Sequence, residues 1–376
     1  MKKFIIYPFY LLLLSTEVYP DVKRGGGVFA RNLYNVLKSL VLQVRVIGLR
    51  HNYIPPVNLN FDITWVKVPW QITSKTKFLL SLLIYLLSSI QIMLKLRPHF
   101  IISNGAYECL PPLLTRRPFA VVVHDESPLT VGVITRPLLL LALRKSKLVI
   151  CPSRSIASII SHYTNRRVFI INNYLDERKR YLLLNAKPDM FFNRHPELKG
   201  KRIILFIGAF SPHKGVLSLM KSMKRVREVF NDAFLIMVGP GCDPVKSNPS
   251  EGIICDGVLT DRELCAYLAA ADIFVLPSIR SEGFGIALLE ALAAGKPVIA
   301  GDLPSFREVA RNSAIYVNGK NPESIAQALI TLLTNRDFVR LLTQRARESS
   351  RLFSKKRVKQ QCIAFLEYVK RELRKR

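Results

Sequence analysis

The sequence is poor in acidic residues and lacks the cysteine patterns of metal centres. Its 376 residues include 27 Asp or Glu against 56 Lys or Arg, which gives a formal net charge of +29. This excess of basic residues indicates an anionic partner, and nucleic acid, anionic lipid or a phosphorylated small molecule would satisfy it equally. With only 18 glycines and 22 prolines the composition is not low-complexity, which argues against a disordered chain.

The six cysteines are scattered, with no C-x-x-C pair and no histidine at a metal-ligand spacing. Disulfide frameworks belong mainly to small secreted domains, so we interpret these residues as reduced core thiols of a cytoplasmic protein.

The N-terminal residues resemble a signal peptide in pattern, because Lys2 and Lys3 precede the apolar residues 4–14. No small-x-small cleavage site follows them. Residues 4–7 also suit a buried first strand of a parallel sheet, and we favour the strand.

Short β-rich runs alternate with helical patterns in both halves of the chain. In the first half, strands are predicted at residues 43–49, 99–103, 120–124, 147–152 and 168–171, with a helix at 27–40 directly after a glycine triplet. In the second half, strands at 203–207, 234–238, 273–276 and 297–300 alternate with helices at 216–230, 261–270 and 286–294, before a helical segment at 322–376. This alternation predicts an α/β protein with two doubly wound parallel sheets.

The length indicates two domains, since single cores usually stop growing before 376 residues. Polar residues and prolines interrupt the pattern at 185–200, which we interpret as a linker. The predicted boundaries are 1–187 for an N-terminal domain, 188–350 for a C-terminal domain and 351–376 for a basic helix that packs back on the N-terminal domain.

Residues 78–94 contain no charged side chain and are flanked by Lys75 and Lys77 on one side and by Lys95 and Arg97 on the other. Three interpretations stay open: a membrane-spanning helix near the lower length limit, a wholly buried core helix, or an interfacial helix with basic flanks. Two nearby tryptophans at positions 65 and 70 slightly favour the interfacial helix.

The most informative segment is residues 278–300, predicted as a strand end, a glycine loop and a helix. Gly283 and Gly285 permit close approach of a ligand, and the helix that they open presents unpaired N–H groups to hydroxyl or phosphate oxygens. Glu282 and Glu290 are spaced so that both carboxylates can face one cleft. The alternative is that Glu282 only neutralises the helix N-terminus and that Glu290 is a solvated surface residue.

Two glutamates separated by seven residues, in the setting S-x-x-x-E-G-F-G followed by L-E-A-x-A-x-G-K-P-V-I-A, resemble the signature of retaining, nucleotide-sugar-dependent glycosyltransferases of family 4. Other landmarks of that family follow in the expected order: N-terminal glycines, a His-Asp pair, a segment ending in Lys-Gly and a Gly-Pro-Gly turn. The resemblance implies a GT-B fold, with two Rossmann-like domains facing a central cleft. The N-terminal domain would bind the acceptor and the C-terminal domain the nucleotide sugar.

The resemblance also implies roles for individual residues. Glu282 would lie at the donor sugar and Glu290 at the ribose hydroxyls, while Lys214 would contact the diphosphate and His124 the reacting sugar. The implied catalytic residues are thus His124, Glu282 and Lys214. The implied substrate-binding residues are Gly26, Gly27, Gly208, Lys214, Gly239, Arg280, Glu282, Gly283, Phe284, Gly285, Ile286, Ala287 and Glu290.

One position departs from the family pattern, because Ala209 stands where members usually carry an arginine. One lysine is a point charge, whereas a guanidinium grips a diphosphate with two hydrogen bonds. Arg280 and His213 are candidates for a replacement cation. Two plainer interpretations stay open as well: Lys214 as a solvated loop lysine and His124 as an ordinary loop residue.

The expected function is that of a hexosyltransferase (EC 2.4) that moves a sugar from a nucleoside-diphosphate donor to a lipid-linked, polysaccharide or glycan acceptor with retention. The resemblance implies neither metal nor cofactor, and the chain contains no D-x-D triplet. Residues 340–376 hold 13 Lys or Arg and 3 Asp or Glu, which suits an anionic membrane surface on its cytoplasmic side. No nucleic-acid-binding motif accompanies the charge. The alternative is an inactive GT-B protein that only binds a nucleotide sugar.

Overall fold

The computed structural model describes residues 7–16, 25–51, 62–68, 74–130, 134–243, 246–280 and 282–375. Its contacts divide the chain into two compact units. Unit 1 comprises Met1–Asn173 and Lys355–Arg376, and unit 2 comprises Tyr174–Ser354. The chain therefore enters unit 2 before the expected boundary at residue 187, because two helices at 177–184 and 189–194 pack on unit 2.

Unit 1 is built on seven parallel strands. They are β1 (Tyr7–Ser15), β2 (Val41–His51), β3 (Ile63–Val68), β4 (Phe100–Ser103), β5 (Phe119–Val122), β6 (Leu148–Cys151) and β7 (Arg167–Ile170). Their order in the sheet is β3-β2-β1-β4-β5-β6-β7. The helices of the unit are α1 (Gly25–Leu37), α2 (Lys75–Leu96), α3 (Leu110–Leu114), α4 (Ser127–Thr130), α5 (Thr135–Lys145), α6 (Arg154–Ser161) and α15 (Lys355–Arg374).

Unit 2 repeats the plan with six parallel strands. They are β8 (Arg202–Ile207), β9 (Ala233–Val238), β10 (Ile253–Cys255), β11 (Ile273–Leu276), β12 (Val298–Gly301) and β13 (Ala314–Val317), in the order β10-β9-β8-β11-β12-β13. The helices are α7 (Glu177–Leu184), α8 (Asp189–Arg194), α9 (Val216–Val229), α10 (Asp261–Ala270), α11 (Ile286–Ala293), α12 (Pro304–Ala310), α13 (Pro322–Thr334) and α14 (Arg336–Arg351). Both units thus have the predicted doubly wound α/β architecture.

The central strands form where apolar residues run without interruption. Every residue of β4, β5, β6, β11 and β12 is buried, as expected for strands covered by helices on both faces. Local signals then set the helix starts: α10, for example, begins with a reciprocal capping box between Thr260 and Glu263. The apolar runs and the helix caps together determine where each strand ends. In such sheets, ligands bind at the carboxyl ends of the strands.

The apolar N-terminal residues that imitate a signal peptide form strand β1. This strand lies in the middle of the unit 1 sheet, paired with β2 and β4, and Leu11–Leu14 are fully buried in it. Of the predicted strand at 4–7, residues 4–6 lie outside the described residues. Helix α1 differs from its prediction, because it starts at Gly25 and the glycine triplet forms its first turn rather than a loop before it.

Helix α2 covers the uncharged segment 78–94 and is only half buried. Ser81, Tyr85, Ser89 and Met93, spaced four residues apart, pack on unit 1, and the Tyr85 hydroxyl donates to the Ile47 carbonyl at 3.2 Å. The opposite face is exposed and apolar: Leu79, Leu80, Leu83, Leu87 and Leu94. The interpretation as a wholly buried core helix is therefore wrong.

By length and composition, α2 could also cross a membrane over Thr76–Leu96, although 22% of its most apolar window is buried. Its buried stripe is, however, part of the core that covers the sheet of unit 1. Tryptophan 70 lies outside the described residues.

Candidate active site

The loops after β8 and β11 of unit 2 bring Lys214 and Glu282 together. Lys214 ends the 3₁₀ turn Pro212–Lys214, and Gly215 then takes a positive φ of 72° before helix α9. The Ile279 N–H donates to the His213 carbonyl at 2.8 Å, which ties the two loops to each other.

Lys214 and Glu282 form an ion pair, and Ser278 Oγ donates to Glu282 Oε1 at 3.0 Å. Only 18% of the Lys214 side chain and 12% of the Glu282 side chain are exposed. Lys214 is therefore not a solvated loop lysine. The pair places a cation and a carboxylate side by side in the loops that follow β8 and β11.

The turns after β8 and β9 approach each other closely. Gly208 follows β8 and Gly239 follows β9, and a Cβ on Gly239 would collide with the Gly208 carbonyl oxygen. Gly239 also needs a positive φ of 138°, which L side chains rarely adopt. Gly239 is thus required where the two turns meet, and neither glycine places a side chain there.

Helix α11 begins at this edge of the sheet. Gly285 takes a positive φ of 84° as its N-cap and makes no side-chain capping bond, so the first-turn N–H groups at Ile286 and Ala287 receive no acceptor from the cap. The Phe284 side chain is buried and packs edge to face on Phe353 at 5.1 Å, so only its backbone and that of Gly283 are available to a ligand. This helix start offers a partial positive charge to an anion.

Glu290 lies on α11 and is held by a different lysine. Its Oε1 is 3.1 Å from Lys179 Nζ, which is also 3.1 Å from Asp261 Oδ1. Glu290 is buried, with 9% of the residue exposed, so the interpretation as a solvated surface residue is wrong. Burial raises the pKa of Glu290, and the Lys179 ammonium opposes that rise.

Lys179 was missed by the sequence reasoning. Burial alone would lower its pKa, but the carboxylates of Glu290 and Asp261 more than compensate and raise it. Lys179 lies among Glu177, Arg178 and Arg180 on α7, and no spacing in that run indicates which basic residue is buried. Only its packing against α10 and α11 reveals the contact.

Arg280 and His213, the candidates for a replacement cation, are both exposed. His213 Nε2 is 3.5 Å from Ser211 Oγ. Nothing among the residues that the structure describes assigns either of them to a diphosphate, and their role stays a prediction.

In unit 1, His124 follows β5 and belongs to a polar network that the sequence did not indicate. Its Nε2 is 3.0 Å from Asn104 Oδ1, while Asn104 Nδ2 donates to Ser15 Oγ at 3.0 Å and to the Gly26 carbonyl at 3.2 Å. Because the Asn104 amide nitrogen faces Gly26, its oxygen faces the imidazole, so Nε2 is the protonated nitrogen. Burial lowers the pKa of His124 and favours the neutral ring.

The residues beside His124 have structural contacts. Asp125 Oδ1 accepts from the Ser127 N–H at 2.8 Å, which starts helix α4, and Phe29 packs edge to face on the His124 ring at 5.2 Å. Gly26 and Gly27 lie in the first turn of α1. His124 and the start of α1 are therefore neighbours through Asn104, at the carboxyl ends of β4 and β5.

Two family models match the chain. Residues 23–179 match the model of "Glycosyltransferase Family 4", and residues 189–349 match "Glycosyl transferases group 1". The chain belongs to the family 4 glycosyltransferases. The two matches correspond closely to the two units, and the glutamates and the Lys-Gly segment fall within the second match.

Two curated relatives of this glycosyltransferase are mannosyltransferases. The phosphatidyl-myo-inositol mannosyltransferase of Mycobacterium leprae is 34% identical over 151 residues, which cover 37% of this chain and 40% of that protein. The O-antigen chain mannosyltransferase RfbU of Salmonella typhimurium is 29% identical over 279 residues, covering 68% of this chain and 72% of that protein. The chain thus spans less than half of the first relative.

The GT-B fold is shown by similarity to solved structures. HepE of Anabaena, in a crystal structure with UDP and glucose, aligns over 96% of this chain and 99% of its own, with a TM-score of 0.74 and 17% identity. At that identity the likeness establishes the fold of this glycosyltransferase and not its substrate.

Proposed function

We propose that this glycosyltransferase is a retaining hexosyltransferase that moves a sugar from a nucleoside-diphosphate sugar to a lipid-linked or glycan acceptor. The proposal rests on one observation above all: unit 2 gathers the Lys214–Glu282 pair, the uncapped start of α11 and the buried Glu290 on one sheet edge and the helix that follows it. Its mannosyltransferase relatives support the transfer of a hexose to such acceptors.

In the proposed complex, the N–H groups of Ile286 and Ala287 and the Lys214 ammonium stabilise the diphosphate as it leaves. A helix N-terminus and a cation that are fixed before the reaction lower the cost of the developing negative charge. Glu282 accepts hydrogen bonds from sugar hydroxyls, and its contacts with Lys214 and Ser278 hold its carboxylate in place. In this proposal, Lys214 and the start of α11 take the place of a metal ion at the diphosphate.

Glu290 is proposed to bind the ribose. Lys179 holds its Oε1, and no partner of Oε2 is found among the described residues, so this oxygen can accept from a ribose hydroxyl. The ion pair holds the carboxylate in one orientation before the donor arrives.

The acceptor is proposed to reach the enzyme at an anionic membrane surface. Helix α2 exposes five leucines on one face, and Lys77, Lys95 and Arg97 are exposed at its two ends. An apolar face with basic flanks suits the boundary between headgroups and acyl chains. With the basic α15 in the same unit, this supports a peripheral location on the cytoplasmic side of a membrane.

A donor panel tests the proposal. In chelator-treated buffer, the melting temperature is measured with UDP, GDP, ADP and their sugars, and donor hydrolysis and transfer are then measured with the nucleotide that binds. We expect one nucleotide to stabilise the protein, because a ligand that binds only the folded state raises the melting temperature. Glu290→Gln should lose that shift, while the exposed control Glu323→Gln should keep it.

The outcomes separate the two candidate functions. Binding with hydrolysis or transfer supports the enzyme, whereas binding without either supports an inactive nucleotide-sugar-binding protein. Equal shifts for wild type and Glu290→Gln would overturn the ribose site.

A further inference from the structure

The turn that follows β9 carries a cysteine whose sulfur touches a second cysteine. Cys242 Sγ lies 2.6 Å from Cys255 Sγ, inside van der Waals contact, where a disulfide bond would measure about 2.05 Å. Both cysteines are free. Among the residues that the structure describes, no other two cysteine sulfurs lie within hydrogen-bonding distance.

Backbone pairing holds this contact in place. Cys255 is the last residue of the edge strand β10 and lies opposite Met237 of β9. Cys242 comes after the Gly239-Pro-Gly turn, and its Sγ also lies 3.4 Å from the Met237 carbonyl oxygen. Both cysteines are buried, at 0% and 1% exposure, so neither sulfur can turn away without disturbing the core.

The two thiols are chemically unequal. The hydrogen bond that Cys242 donates lowers the pKa of Cys255, and it raises the pKa of Cys242 itself. The Lys246 ammonium also lowers the pKa of Cys255. Because the thiolate is the reactive form of cysteine, Cys255 is the nucleophile of the pair and Cys242 lies ready to resolve the product.

We propose that Cys242 and Cys255 form a reversible disulfide when the folded protein meets a hydroperoxide, which links the Gly-Pro-Gly turn to strand β10. The Cys255 thiolate attacks one peroxide oxygen, the O–O bond breaks and a sulfenic acid and hydroxide form. The Cys242 sulfur then attacks the Cys255 sulfur, the S–O bond breaks, and the Cys242 proton leaves with the hydroxyl group as water. For hydrogen peroxide, two thiols and one peroxide yield one disulfide and two waters.

Access to the buried pair depends on strand β10 and on the described residues between the two cysteines. Asp243, Lys246 and Glu251 are among those residues and are exposed, and β10 is an edge strand of only three residues, Ile253–Cys255. Such short peripheral elements open locally at lower free energy than the whole domain unfolds. Reaction through this opening makes the disulfide form slowly and without global unfolding.

Peptide mapping of the full-length protein tests the proposal. Reduced protein is treated with hydrogen peroxide, the remaining thiols are alkylated in denaturant, and the products are analysed by mass spectrometry with and without later reduction. We expect four alkylated cysteines instead of six, a linked peptide pair containing Cys242 and Cys255, and recovery of six after reduction. The melting temperature should rise in the oxidised protein, because the cross-link restricts the unfolded chain.

Cys242→Ala and Cys265→Ala form a matched pair, since both remove a buried thiol of unit 2. Cys242→Ala should abolish the linked peptide and the rise in melting temperature, and Cys265→Ala should keep both. Six alkylated cysteines after peroxide treatment of the folded wild type, or a linked peptide only when peroxide is added to unfolded protein, would overturn the proposal. The readout involves no nucleotide, so it is independent of the donor panel.

Discussion

Lys179 is the residue on which the geometry of Glu290 depends. Removing it with Lys179→Met leaves a buried carboxylate without its cation, which typically costs about 3–5 kcal/mol of folding free energy. We expect urea unfolding of Lys179→Met to show a loss of that order. The double variant Lys179→Met/Glu290→Gln should recover part of it, because the unpaired charge is gone.

The comparison that matters is between the single and the double variant. If Glu290→Gln adds a further loss to that of Lys179→Met, the two side chains do not interact as the structure indicates. The Asp261 side chain is 39% exposed, so water screens its charge. Most of the loss of folding free energy in Lys179→Met should therefore come from the unpaired Glu290.

For individual residues, the sequence indicated those of the glycine loop and its helix better than the residues that contact the predicted site residues. Glu282 and Glu290 could be selected because a glycine loop followed by an apolar helix makes a charged residue conspicuous, and Lys214 could be selected through the family resemblance. Asn104 and Lys179 could not, since each becomes significant only through contacts with residues 20 or more positions away. Asn104 meets His124 across neighbouring strands, and Lys179 meets Glu290 across neighbouring helices.

Among the helices, α15 is rich in basic residues and nevertheless packs apolar side chains on the sheet of unit 1. Its Phe365 ring packs edge to face on Phe100 of β4 at 6.3 Å and on Phe169 of β7 at 5.8 Å. Two hydrogen bonds join Gln361 to Asn172. The Asn172 N–H donates to Gln361 Oε1 at 3.0 Å, and Gln361 Nε2 donates to Asn172 Oδ1 at 2.7 Å. The helix therefore covers part of the sheet, between the central strand β4 and the edge strand β7, with a fully buried aromatic side chain.

We expect Phe365→Ala to destabilise unit 1 by about 3–5 kcal/mol, through lost burial and the cavity that remains. Lys356→Ala, an exposed change on the same helix, should stay within about 0.5 kcal/mol of wild type. Denaturant unfolding followed by tryptophan fluorescence, with Trp65 in unit 1 as a reporter, measures both. A loss of equal size in both variants would contradict the packing role of α15.

The position of a strand in its sheet explains whether the sequence could predict it. Continuous apolar runs revealed the central strands, whereas β3, β10 and β13 were missed. All three are edge strands, and β3 and β13 are half exposed. An edge strand is covered less completely, so its hydrophobic pattern is weaker, and β10 has only three residues.

For the whole molecule, the charge of +29 and the apolar face of α2 make a joint prediction about membranes. In flotation with anionic liposomes, Leu87→Glu should weaken binding about tenfold or more, because a leucine buried in lipid contributes about 1.5–3 kcal/mol. Leu217→Glu is the matched control, since the two leucines are 59% and 56% exposed and Leu217 lies in unit 2.

Salt distinguishes the two contributions. Raised ionic strength should weaken liposome binding of wild type and of both variants, since it screens the basic residues alike. Equal flotation of wild type and Leu87→Glu at every salt concentration would mean that α2 does not meet the lipid.

The return of the chain to unit 1 at Lys355 bears on how the protein is made. The ribosome releases β1 to β7 first and α15 only after the whole of unit 2. Since domains generally fold as their sequence emerges, unit 2 can complete its core during translation, whereas the face of unit 1 that Phe365 covers stays uncovered until α15 has been made. A transcript cut short before codon 355 would therefore yield one finished unit and one unfinished one, with an apolar face open to chaperones that bind such surfaces.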